Sequence, residues 1–332
     1  MMRHVAAVLS IFLSIWGLVQ VAQAQPTADQ LLTDAGLSAG DKQNVTSGQF
    51  VNFGVKGVSE RDLAFAIAFL VKTSPEALAK QVVAGELITA DTQVKIFGEL
   101  SSAGSLADFA KLTLTGDEAK ALANAKAGSA LNLSASEIAA FKALAGGPPA
   151  AVQEQLRRML LARYQAYRAS GLAGIAPYDR GGGSTGDPAA DLRKASQATP
   201  ALQKYMPAFQ KVLLDYPKAT VPGMEEKFFW LKSLIHDEMT YVLVHILVAA
   251  DGAARVVTRR EYYVSTGYNA EQTVAGFLPV QGGTVAITIA HAFSEQVTGM
   301  GGSVKRGIGS KIMASKMKEI YEAGRDRSQK QR

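Results

Sequence analysis

The chain has no cysteine among its 332 residues. That excludes a disulfide framework, a thiol nucleophile and a zinc–thiolate centre. Histidine is scarce: His4 stands at the start, and His236, His245 and His291 follow near the far end. Tyrosine is missing before Tyr164, and Trp230 is the one tryptophan after Trp16. After Ala24 no run is long and apolar enough to span a bilayer. No internal repeat is visible, and no phosphate-binding Gly-Lys-Ser/Thr or dinucleotide fingerprint occurs.

What is present describes a folded globule. Hydrophobic residues make up 48% of the chain and charged residues 19%. The first segment has the three parts of an export signal. Arg3 and His4 begin it, an apolar run from Val5 to Val21 follows, and Ala22-Gln23-Ala24 supplies small residues before Gln25-Pro26. The expectation is an exported chain, periplasmic or secreted, that has lost residues 1–24. The net charge of +6 is concentrated at the other end. From Lys305 to Arg332, nine basic residues stand against three acids, so the body before them is close to neutral. That distribution argues against a nucleic-acid partner and points to anionic lipid at the basic segment.

The pattern predicts an α+β protein: an N-terminal all-α region, then an antiparallel β-sheet closed by a long C-terminal helix. The expected divisions are residues 25–170 as a helical domain and 171–190 as a Gly/Pro-rich linker or loop. Residues 191–324 form an α+β domain, and 325–332 a solvated basic tail. Ser59-Glu-Arg-Asp62 predicts a helix start before the apolar run Leu63–Val71. Ser74, Thr115 and Ser134 open further helices, each with an acid in the first turn. A stronger helix spans about 150–169, with Val152, Leu156, Met159, Leu160, Arg163 and Tyr167 on one stripe. Short helices follow at 191–197 and 201–214. Five strands are expected at 228–235, 241–248, 255–264, 273–278 and 284–293, rich in Val, Ile, Thr and aromatics. Turns at 250–253 and 280–283 would join them as hairpins. The last helix, 303–323, carries Val304, Ile308, Ile312, Met317, Ile320 and Tyr321 near one face, expected to dock on the sheet.

Three motifs bear on chemistry. Gly182-Gly-Ser184-Thr-Gly186 matches the serine-hydrolase pattern, but no strand–turn–helix context surrounds it, and it reads as linker. Ser303, Lys305 and Arg306 follow a Gly-rich loop at a helix start, where free amides and basic side chains suit an anion. Strand alternation puts His291 on an apolar face and sets His245 beside Tyr241 and Leu243. It also sets Glu261 beside Arg259 and Tyr263. If those faces converge, His245, Glu261, Tyr263 and His291, with Tyr268, line an apolar pocket and orient an apolar or amphipathic ligand. Two other functions compete with this one. The same cluster could serve an envelope hydrolase using His and Glu, with or without a metal. Alternatively, the chain is an envelope assembly protein whose basic tail touches membrane. No residue pattern names a cofactor, and no metal-ligand spacing links the histidines.

Overall fold

The computed structural model describes residues 25–235 and 237–330. The export-signal segment 1–24, His236 and the last two tail residues lie outside the described residues. Among the described residues the chain runs α1 (Ala28–Asp34), α2 (Ala39–Thr46), β1 (Val51–Phe53), β2 (Asp62–Val71), α3 (Pro75–Val83), α4 (Glu86–Ala90) and β3 (Val94–Glu99). Next come α5 (Gly116–Ala123), α6 (Ala135–Lys142), α7 (Pro149–Ser170), β4 (Tyr178–Gly181), β5 (Ser184–Gly186), α8 (Pro188–Gln197), α9 (Pro200–Tyr205) and α10 (Pro207–Asp215). The last part is β6 (Glu225–Ile235), β7 (Glu238–Asp251), β8 (Ala254–Val264), β9 (Ala270–Val280), β10 (Gly283–Phe293) and α11 (Gly302–Lys330). The class is α+β.

One eight-stranded antiparallel sheet, ordered β1-β2-β10-β9-β8-β7-β6-β3, forms the middle layer. β6 to β10 are the five strands read from the sequence, longer at their ends. Helices cover both faces. On the first, Phe228, Trp230, Leu243 and Tyr263 pack against Leu156, Leu160, Tyr164 and Tyr167 of α7. On the second, Phe69, Val71, Val244, Ile246 and Phe277 meet Leu78 and Val82 of α3, Ile88 of α4 and Tyr321 of α11.

The structure departs from the sequence reading at four places. Leu63–Val71 is a strand, not a helix, and β1 and β3 also arise before residue 150. Behind Asp62 the run Leu-Ala-Phe-Ala-Ile-Ala-Phe-Leu-Val is apolar throughout because both faces of β2 are covered, and it lacks the apolar–polar alternation that marks a half-buried strand. The Gly-rich stretch is ordered: β4 and β5 form a hairpin around Gly182 and Gly183, whose φ of 61° and 81° suit its two-residue turn. Its Tyr178 is fully buried. The expected helix over 201–214 is two helices, because Pro207 starts α10 where α9 would have continued. Finally, α11 runs on through the supposed tail to Lys330, since nothing after Gly324 breaks a helix.

Helix caps tie the helical layer to the sheet. Thr115 and Ser134 cap α5 and α6, accepting from the backbone of Glu118 and Glu137. The same two glutamates hold buried cations: Glu118 pairs with Lys232 of β6 at 2.8 Å, and Glu137 with Arg163 of α7 at 2.6 Å. Each acid thus serves a helix end and an ion pair at once.

Candidate functional site

Register decides which side chains meet. His245, Arg260, Gln272, His291 and Ala64 are successive cross-strand partners on β7, β8, β9, β10 and β2. They form one polar row across the first face, and its four polar members are buried. The Arg260 guanidinium donates to Gln272 Oε1, Ser196 Oγ, the Leu213 carbonyl and the Tyr167 hydroxyl. Because Tyr167 accepts from Arg260, its own proton is available to His245 Nδ1, 3.1 Å away. His245 Nε2–H then donates to Glu226 Oε2 at 3.1 Å. Burial holds the His245 imidazole down to about 4, against the pull of Glu226, so it is neutral near pH 7. Phe228 stacks on its ring at 4.0 Å. His245 is wired into the core by Tyr167, Glu226 and Phe228.

The predicted cluster does not form. Glu261 follows Arg260 on β8 and therefore takes the second face, away from His245 and His291. A bulge opposite Leu243 and Val244 then breaks the alternation, so Tyr263 pairs with Leu243 on the first face. There the Arg163 guanidinium sits 4.2 Å over its ring. On the second face Glu261 pairs with Arg259, accepts from the Tyr268 hydroxyl and lies beside Glu271. Burial and the neighbouring Glu261 push the Glu271 carboxyl up to about 7.

His291 has a different partner, which the sequence reading assigned to a helix start. Its Nδ1 lies 2.8 Å from Asp62 Oδ2, and the same oxygen accepts the Val58 N–H at 2.8 Å. Asp62 Oδ1, His291 Nε2 and Ser59 Oγ are buried and make no hydrogen bond among the described residues. Asp62 and Ser59 line a groove of about 980 Å³. β1 covers β2 only at Ala66–Ala68, so among the described residues the outer edge of β2 from Asp62 to Phe65 has no strand beside it. The groove runs along that edge, between the loop from Gly54 to Glu60 and α11.

The groove has two chemical sides. Phe53, Val55, Val58, Ala64, Phe65 and Ala66 give an apolar floor. Arg306, Lys311 and Lys318 of α11 stand along the opposite wall, with Ser310 and Ser315 between them. Glu60 and Asp62 are the acids at its margin, and Asp62 is engaged by His291. Gly309 brings α11 close, since a Cβ there would lie 2.8 Å from Leu63 Cδ2.

Of the three residues expected to hold an anion, only Arg306 lines the groove, donating to the Glu60 carbonyl at 2.9 Å. Ser303 and Lys305 are exposed and lie outside it. Sequence reasoning missed Asp62, Ala64, Ala66, Lys311 and Lys318. The one available signal was an acid opening an otherwise apolar run, with alanines every second residue behind it. Among the described residues no group of three or more His, Asp or Glu side chains is placed to hold a metal ion. The chain matches no known protein-family model, no curated protein and no solved structure.

Proposed function

We propose that the protein binds an amphipathic, anionic small molecule in the groove between the β2 edge and α11. The observation that carries the reading is a cavity of about 980 Å³ with an apolar floor and three cations on one wall. That size and that division suit a molecule with a hydrocarbon part and an acidic head. The hydrocarbon would lie along Phe53, Ala64 and Ala66, and the head would meet Arg306, Lys311 and Lys318. The unpartnered Oδ1 of Asp62 offers an acceptor for a ligand hydroxyl. The site is thus between sheet and final helix, but at the sheet's edge and not over its middle.

The hydrolase alternative has less support. His245 and Glu261 lie on opposite faces, and His245 is saturated by Tyr167 and Glu226. We place the protein's work outside the cytoplasm, on the pattern of residues 3–26 alone.

Native mass spectrometry of protein purified from exporting cells tests both parts. The expected spectrum shows a chain lacking residues 1–24, with extra mass that disappears after lipid extraction. A bare chain that also takes up no long-chain fatty acid after extraction overturns the ligand reading. Retained residues 1–24 overturn the export reading and leave the groove unaffected.

A further inference from the structure

α11 has one face that nothing among the described residues covers. Its docked side uses Gly309, Met313, Ala314, Met317 and Tyr321, which meet β2 and its neighbours. Val304, Ile308 and Ile312, expected in that contact, are instead 65%, 56% and 61% exposed. Met300, one turn earlier in the entering loop, is 98% exposed. Spaced four residues apart, these side chains make a continuous apolar stripe facing solvent. A monomer gains nothing by exposing such a stripe, and contiguous exposed apolar surface marks a contact site.

Charge identifies the partner. Between Glu295 and Glu319 there is no acidic residue, while Lys305, Arg306, Lys311, Lys316 and Lys318 fall in that interval. Successive helical residues turn by about 100°. That rotation sets Lys311 on one flank of the stripe and Lys305 on the other, both exposed. An apolar stripe between exposed lysines is the form of a helix that lies in the interface of an anionic bilayer. A protein partner would need acids matched to individual lysines, whereas a bilayer needs only a diffuse negative surface, which two exposed lysines fit. No described helix is long and apolar enough to cross a membrane.

We infer that α11 docks the protein on an anionic lipid surface through Met300, Val304, Ile308 and Ile312. Lys311 belongs both to the flank of this stripe and to the wall of the groove. Docking therefore sets the groove mouth beside the bilayer, where an amphipathic lipid can pass between them. The docking itself goes beyond the ligand reading and stands without it.

The absence of cysteine makes the test direct. An environment-sensitive fluorophore is attached to the full chain carrying Ile308→Cys, and to a control carrying Lys142→Cys on the exposed side of α6. Each is mixed with vesicles of phosphatidylcholine alone, or of phosphatidylcholine with phosphatidylglycerol. The inference expects a blue shift and a several-fold rise in emission at position 308 with the mixed vesicles only, and no change at position 142. The response should be lost in high salt and in Lys305→Glu/Lys311→Glu. No response at position 308 overturns the inference, and so does an equal response to phosphatidylcholine alone. A shift without vesicles that grows with protein concentration also overturns it, and assigns the stripe to a second copy of the chain. Local immersion of the label is independent of whether the groove holds a ligand, so the two readings fail separately.

Discussion

Single residues in this protein are set by what they face, and register decides that. His245 and Glu261 are both buried ionisable groups on neighbouring strands, yet one is a core hydrogen-bonding group and the other belongs to an acid cluster. Alternation within each strand placed His245 and His291 on their faces correctly. It failed at Tyr263, because one bulge on β8 shifts the pattern and nothing in the local sequence announces a bulge. The partner of His291 was out of reach for another reason. Asp62 lies 229 residues away in the chain and meets it only through the β2–β10 pairing. The acid cluster gives a pH-dependent prediction. The Glu271 carboxyl is raised in the folded state above the 4.5 of an ordinary glutamate, mainly by burial and then by Glu261. The folded state thus holds the proton more tightly. Its contribution to stability is present below pH 4.5 and is lost as pH rises toward 7. Glu271→Gln, which stays neutral, should therefore be more stable than the parent at pH 8, on the order of 2 kcal/mol. The two should converge near pH 4.5. Urea unfolding at both values measures this, and a less stable variant at pH 8 contradicts it.

At the scale of elements, β6 to β10 and the long helices were legible, because each carries its own period or its own cap. α7 buries the stripe assigned to it, Val152 through Tyr167, with Tyr164 added. β2 was not legible. A strand covered on both faces needs no polar side, and Ser59 to Asp62 imitates the start of a helix. The hairpin β4–β5 was hidden by its glycines, which are required by the turn and do not signal a free linker. α11 lies where expected and docks through Met317 and Tyr321 of its expected face, but Val304, Ile308 and Ile312 of that face turn to solvent. Its docked side is built on Gly309, Met313, Ala314, Met317 and Tyr321. Gly309 is what allows the close approach to Leu63. Gly309→Leu should lift the first half of α11 from β2 while the rest of the sheet stays folded. Hydrogen exchange should show faster exchange in residues 302–318 and unchanged protection in β6 to β9. Unchanged protection of α11 would contradict the packing described.

For the whole molecule, composition indicated a large core, an uneven charge and an aromatic-rich second half, and those indications match the sheet and its helical layers. Composition could not show that β1, β2 and β3 complete the same sheet as β6 to β10. Nor could it show the groove, which exists only because a short β1 leaves part of β2 uncovered and α11 crosses beside the gap. The molecule's basic end and this groove of about 980 Å³ meet there. The direct measurement is a titration of lipid-extracted protein with a fluorescent long-chain carboxylate. Parent protein is compared with Ala64→Trp, which fills the floor, and with Lys311→Glu/Lys318→Glu, which reverses the wall. The account predicts saturable single-site binding by the parent and at least about tenfold weaker binding by each variant, the loss of roughly 1.4 kcal/mol or more. No saturable binding, or equal affinity in all three proteins, would contradict the assignment of the groove as the ligand site.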